Sequence, residues 1–406
     1  MKIFEKYLTF LTGLTIAYNP RTANILLALT FLYSLYIAYK HKTLKDEIKH
    51  IVTLNFLNKD IRKNIFEIIL LCGFAVFASP NIIFSLKAFV LFVFLLFIVV
   101  YILRNYSLER ASILYFFYGY LLAILMYFTY YIFGGNSHIN GKSLGLMMSI
   151  YYLLVYKKDY FKIPKQLTLN TLIILLYFII GFIIFKNHSA TAKVSFLTSP
   201  FICLYFYKIS IYNAKKKIIL FIIFISMFIP SIIYFTNINK VFQTLPNLEA
   251  SFKHRICIAK FSIDKFIENP LSGNGFKASR FYESDKNCFI ITKEEMEKIS
   301  KKYHLGNEDV SKINEVNILY NAGFHPHNFI LQILFEIGIF GIFVFIYFIK
   351  NILKIIDISQ GKMDFALKAG IIYNFFVLYI ISYSLWETWL LTSIFSILFI
   401  FKDTRR

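Results

Sequence analysis

At 406 residues, the chain is 58% hydrophobic and 19% aromatic, with only 17% charged residues. A water-soluble domain carries about 45–50% apolar and about 25% charged residues, so 47 Phe and 29 Tyr exceed what one soluble core can bury. The formal net charge of +21 does not indicate nucleic acid, because the basic residues form short clusters between apolar runs rather than a stripe with interleaved stacking aromatics.

Apolar runs such as Ala88 to Leu103 and Ile218 to Phe235 approach the ~20 residues a helix needs to cross a hydrocarbon core of ~30 Å. Helix is required because lipid cannot satisfy open backbone groups, and the runs lack the alternation of a membrane β-barrel. The pattern predicts an all-α polytopic membrane protein with about 12 transmembrane helices. They lie at 7–18, 23–39, 64–80, 88–103, 112–133, 143–156, 168–185, 194–208, 218–235, 329–349, 365–383 and 388–401. The first run superficially resembles a signal peptide. It lacks a small-residue cleavage site and a second run follows at once, across the turn-like Asn19-Pro20-Arg21-Thr22, so it reads as a retained helix. Cys72 and Cys203 lie inside apolar runs and read as packing residues.

Alternate connections divide the Lys and Arg residues unequally, about 25 against about 5 over the short connections. This bias puts both termini in the cytoplasm and the stretch from Thr236 to Pro326 outside. Three regions follow: a bundle over 1–235, a periplasmic loop region over 236–326, and a second bundle over 327–406. The loop has mixed charge, with helical patterning over Phe261 to Glu268 and over Glu294 to Lys302. Cys257 and Cys288 share it; an oxidising compartment would allow them to pair, but two cysteines do not decide the matter.

Chemistry-bearing residues concentrate in three places. At 324–341, His325, His327 and Asn328 stand where the loop enters a membrane helix, a depth at which polar groups usually face a cavity or interface. His327 suits a general base, and Asn328, after Pro326, suits a helix cap. Gln332 and Glu336 continue one polar stripe at i+4 steps, and Gly338 with Gly341 would permit close helix–helix approach. The bland alternative is interfacial histidines bonded to loop backbone, with Gln332 and Glu336 joined in an interhelical contact. His325 and His327 alone lack the surrounding pattern of a metal site, so no metal is expected. The second place is His254-Arg255 followed by Asn269-Pro-Leu-Ser-Gly273-Asn-Gly275. Arg holds phosphate well, whereas a lone Gly-x-Gly is as readily a turn after a helix. The third is Lys186, His188 and Lys193 in a short outer connection, where snorkelling is the ordinary explanation for lysine.

Two of these segments carry a family pattern. His327-Asn328, nine intervening residues, then Gly338-x-x-Gly341, together with His254-Arg255 and the later Pro270-Leu271-x-Gly273-x-Gly275, resemble the O-antigen ligase and polymerase superfamily, and most closely its ligases. The resemblance implies a GT-C-like glycosyltransferase: inverting, metal-independent and without cofactor. It would move a glycan from undecaprenyl diphosphate to lipid A–core oligosaccharide at the periplasmic face of the inner membrane. His327 would be the base, Arg255 and Lys193 would bind the donor pyrophosphate, and His254, His325, Asn328, Gly273, Gly275, Gly338 and Gly341 would support them. The chain departs from the family at Ala259, where a Trp is frequent, and at Ala192-Lys193, where Ser-Arg is frequent. The alternatives are a polysaccharide polymerase of the same superfamily, differing in acceptor, and a transporter or flippase. The latter is disfavoured by the lack of paired broken helices in two halves.

Overall fold

The computed structural model describes residues 2–18, 22–43, 59–105, 110–133, 141–156, 166–186, 189–208, 211–245, 248–282, 287–292, 315–319, 326–356 and 362–381, with a few isolated positions including 384, 386 and 387. The described helices are α1 (Lys2–Tyr18), α2 (Ala23–Lys40), α3 (Lys59–Phe77), α4 (Ile82–Asn105), α5 (Arg110–Ile132), α6 (Gly141–Tyr156), α7 (Gln166–Lys186), α8 (Ala190–Lys208) and α9 (Ile211–Phe235). The loop region contributes α10 (Ile238–Thr244), α11 (Ala250–Glu268) and an antiparallel pair, β1 (Asn287–Thr292) with β2 (Glu315–Leu319). Then follow α12 (Phe329–Ile337), α13 (Ile339–Ile356) and α14 (Lys362–Ile381).

The main core gathers Phe116, Phe117 and Tyr120 of α5, Leu146 and Met147 of α6, Ile180 of α7, Phe196 of α8 and Ile371 of α14. Helix α1 lies unusually close to α5: a Cβ at Gly13 would stand 2.0 Å from the Phe116 carbonyl oxygen, and one at Gly119 equally near that of Phe10. Outward faces are as apolar as the core. Phe74 of α3, Phe201 of α8 and Met227 of α9 are 70%, 71% and 69% exposed. Apolar surface repeated on so many helices would drive aggregation in water, whereas it matches lipid. Among the described residues, Ala111–Ile132 and Leu169–Lys186 are long and apolar enough to cross a membrane, and several shorter apolar helices stand beside them. The chain is a helical membrane protein.

Three details differ from the sequence reading. The predicted run 329–349 is not one helix: it breaks at Gly338 into the nine-residue α12 and the eighteen-residue α13. The helix predicted from Phe261 begins earlier, at Ala250. The loop also contains the β1–β2 pair, which the all-α reading did not foresee because its two strands lie far apart in sequence. The helix predicted over 294–302 and most of the twelfth run, 388–401, fall outside the described residues.

Helix α12 runs across the bundle rather than along it. Its first residue, Phe329, packs on Phe376 near the C-terminal end of α14, with ring centroids 5.4 Å apart. Its last residue, Ile337, joins Cys72, Ala75 and Val76 near the C-terminal end of α3. Nine helical residues span only ~13 Å, far less than the ~30 Å hydrocarbon layer, so α12 is too short to cross it.

Candidate functional site

Asn328 caps α12 as its sequence position suggested: its Oδ1 accepts the backbone N–H groups of Ile330 at 2.9 Å and Leu331 at 3.2 Å. Just before it, half-buried His327 adopts φ 53°, a left-handed conformation that costs a non-glycine residue on the order of 1 kcal/mol. The turn from Pro326 into the helix imposes this geometry at the position singled out for chemistry. All nine residues of α12 are buried. Within it, the Gln332 amide donates to Glu336 Oε1 at 3.0 Å and to Ser384 Oγ at 2.9 Å. The other Glu336 oxygen accepts the Trp386 indole N–H and, at 3.0 Å, the Lys277 backbone N–H. The polar stripe is therefore a buried knot tying α12 to the loop and to the C-terminal segment. This is the structural role that the bland reading gave Gln332 and Glu336.

The segment after α11 docks on the C-terminal end of α12, backbone against backbone. Asn274 N–H donates to the Phe335 carbonyl at 2.7 Å, Gly275 N–H to that of Glu336 at 3.1 Å, and Phe276 N–H to that of Ala75 at 2.9 Å. Gly273 N–H turns back to Asn269, and Ile339 N–H donates to the Pro270 carbonyl at 2.9 Å. Positive φ at Gly273 (68°) and Gly275 (113°) sets the turn; a Cβ there would meet Glu336 backbone at 2.5 Å and Ser79 backbone at 2.4 Å. Since the amides of residues 273–276 all serve these contacts, the Gly-x-Gly turn is a docking element and does not cradle phosphate. Gly338 likewise faces the Leu271 carbonyl rather than a partner helix, while Gly341 abuts Ile333 and Ile337 at the α12–α13 junction. The helix–helix approach expected of this pair is thus replaced by a helix–loop seam and a tight corner.

The same docking fixes where Arg255 lies. The Asn274 side-chain amide donates to the Lys265 carbonyl of α11 at 3.0 Å and to the Phe335 carbonyl of α12 at 3.1 Å, so these residues share a level. Ala259, Ile263 and Phe266 of α11 belong to one apolar cluster with Phe329, Ile330 and Ile333 of α12. Ten residues back from Lys265, or ~15 Å, is Arg255; eight back from Phe335, or ~12 Å, is His327. Each stands near the N-terminal end of its own helix. His254, beside Arg255, has its imidazole held below the ordinary histidine range, first by burial and then by the neighbouring guanidinium.

Lys193, in the first turn of α8 and half-buried, comes to a similar level by another route. Ser195 donates to Asn374, and Thr198 lies 2.8 Å from the Tyr373 hydroxyl, which pairs α8 and α14 in opposite directions. Two residues outward from Ser195 is Lys193; two outward from Asn374 is Phe376, the ring that meets Phe329 of α12. Lys186 lies with its ammonium 5.8 Å from the Phe182 ring centroid, as an interfacial lysine does. His325 and His188 fall outside the described residues. Among the described residues no three His, Cys, Asp or Glu side chains gather as a metal site.

Cys257 of α11 and Cys288 of β1 form a disulfide, with Cα atoms 6.2 Å apart, which pins the sheet to the helix bearing Arg255. Closing a 31-residue interval should contribute about 3.7 kcal/mol in the chain-entropy account. Cys257→Ser is expected to lower the unfolding temperature of the detergent-solubilised protein and to abolish its sensitivity to reductant. An unchanged, reductant-independent melting curve would argue against the bond. Trp386, Ser384, Asn274 and Lys277 were missed by sequence reasoning. Only the rarity of Trp, two in the chain, and the glycines flanking Asn274 hinted at them.

A family model described as O-antigen ligase matches residues 175–346, the segment from α7 through the loop region into α13. Over this segment the chain is similar to the O-antigen ligase family. It is 30% identical over 154 residues to a protein of Rickettsia prowazekii provisionally named a polysaccharide ligase, covering 38% of this chain and 33% of that one. A counterpart of the same designation in Rickettsia typhi is 30% identical over 152 residues, covering 37% and 32%. The chain thus spans about a third of the length of the curated relatives it matches. No solved structure matches it.

Proposed function

We propose that the protein is a ligase-type glycosyltransferase that moves a glycan from undecaprenyl diphosphate to lipid A–core oligosaccharide at the periplasmic face of the bacterial inner membrane. The observation that supports this reading is the packing of α11, which bears Arg255, against α12, whose first turn follows His327. In the reaction, His327 takes the proton of the acceptor hydroxyl as that oxygen attacks the anomeric carbon and inverts it. The bond to the diphosphate oxygen breaks, and Arg255, with Lys193, stabilises the charge left on undecaprenyl diphosphate. A base and a cationic clamp account for the step without metal or cofactor. The disulfide supports placing the loop in an oxidising compartment.

The test is transfer in proteoliposomes containing a lipid-linked glycan donor and lipid A–core acceptor, in the presence of chelator. Arg255→Ala is expected to lower release of undecaprenyl diphosphate by about 100-fold, the cost of losing one charge-stabilising donor. Full release by the folded variant would remove Arg255 from the mechanism. Products elongated on the carrier lipid, with none on lipid A–core, would make the enzyme a polymerase instead.

A further inference from the structure

The outer turn between α3 and α4 carries charge that the proposed reaction does not use. Arg280 lies with its guanidinium carbon 4.6 Å from the Phe84 ring centroid, at the start of α4. Lys87 is one turn further along the same stripe of α4, three residues from Phe84, so it neighbours that ring. Lys277, three residues before Arg280, has φ 54° and a backbone N–H tied to Glu336. Its ammonium is held below the usual lysine range by burial; Glu387 and Glu336 oppose this and Arg280 adds to it. The carboxylates acting on Lys277 are thus Glu387 and Glu336, and Glu336 already accepts from Gln332, Trp386 and the Lys277 backbone.

Below the cations an open apolar groove of about 400 Å³ descends the lipid-facing side of α4, lined by Leu86, Lys87, Val90, Leu91 and Phe94. From Leu86 to Phe94 it runs ~12 Å along the helix. A cationic rim above a hydrocarbon channel fits a lipid that carries phosphate at its head.

Connectivity decides which lipid. Phosphate in the donor is bonded to the carbon under attack, so it must lie beside His327. The α3–α4 turn, however, meets the opposite end of α12, ~13 Å from His327. A phosphorylated glycolipid acceptor has the complementary layout, with phosphates at its lipid end and the reacting hydroxyl several sugars away. We propose that Arg280, Lys87 and the groove beneath them bind the phosphorylated lipid end of the acceptor, one acyl chain lying along Val90, Leu91 and Phe94. This deepens the ligase reading and rests on it.

Purified full-length protein in phosphatidylcholine nanodiscs, doped in turn with bisphosphorylated lipid A, undecaprenyl phosphate or phosphatidylglycerol, allows retained lipid to be counted by native mass spectrometry. Lys87→Gln is expected to lower lipid A retention by roughly fivefold, at about 1 kcal/mol per interfacial cation. Lys87→Arg should restore it. Val90→Trp, which fills the groove without touching charge, should lower it as well, and undecaprenyl phosphate retention should not change. Lipid A retention unaffected by Lys87→Gln and Val90→Trp would overturn the proposal. So would an equal loss of undecaprenyl phosphate, or equal retention of phosphatidylglycerol. His327→Ala should keep full lipid A retention; absence of transfer by the unsubstituted protein, with this retention pattern intact, would count against the ligase reading and not against the site.

Discussion

Gly338→Ala is expected to destabilise the protein by about 3 kcal/mol and to remove activity with it, because two independent penalties fall on one methyl group. The residue sits at φ 80°, where its N–H closes α12 by donating to the Ile333 and Leu334 carbonyls at 3.0 and 3.1 Å. Any L side chain is strained there. A Cβ would also stand 2.3 Å from the Leu271 carbonyl oxygen and 2.8 Å from the Gly273 amide nitrogen, and both are backbone atoms that cannot swing aside. The seam would have to open, and with it the hydrogen bonds from Asn274 to Phe335, Gly275 to Glu336 and Ile339 to Pro270. Those contacts keep α11 alongside α12, so Arg255 would lose its place although neither helix changes in sequence. Thermal unfolding followed by intrinsic fluorescence would check this. A melting temperature within a degree of the parent, with transfer intact, would show that the seam is not needed.

The sequence made the membrane helices legible because apolar length is a one-dimensional property: α2, α5 and α7 begin and end within about two residues of their predicted bounds. Asn328 was legible as a cap for a similar reason, since capping is settled by adjacent residues. The break at Gly338 was not. Apart from Gln332, Glu336 and the two glycines, residues 329–349 are apolar, and hydropathy cannot distinguish a helix that crosses the bilayer from one that lies across the bundle and then turns down. The two glycine motifs were visible as motifs, yet their shared purpose depends on contact between positions more than sixty residues apart. Phosphate cradling and helix packing were reasonable separate readings of each; only the fold shows that they face one another. Trp386 stayed hidden for the same reason, since its indole answers a carboxylate fifty residues earlier in the chain.

His327→Ala should leave the fold intact while stopping transfer, a loss of about 1,000-fold or more if the imidazole is the base that activates the acceptor. Little structural cost is expected. The side chain is half-buried and stands outside the helix, whose cap belongs to Asn328 and whose packing belongs to Phe329 and the residues after it. Alanine still has to adopt φ near 53°, so the backbone strain stays about the same. On the proposed mechanism binding should also persist, because the cations it assigns to the donor, Arg255 and Lys193, stand on α11 and α8, apart from residue 327. The expected signature is therefore an inserted, monodisperse protein that retains lipid-linked donor but releases neither product nor undecaprenyl diphosphate. His327→Gln, which preserves hydrogen bonding without the basicity, should be equally inactive. Recovery of transfer in His327→Gln would reduce the imidazole to a positioning group, and normal turnover in a folded His327→Ala protein would move the base elsewhere in the site.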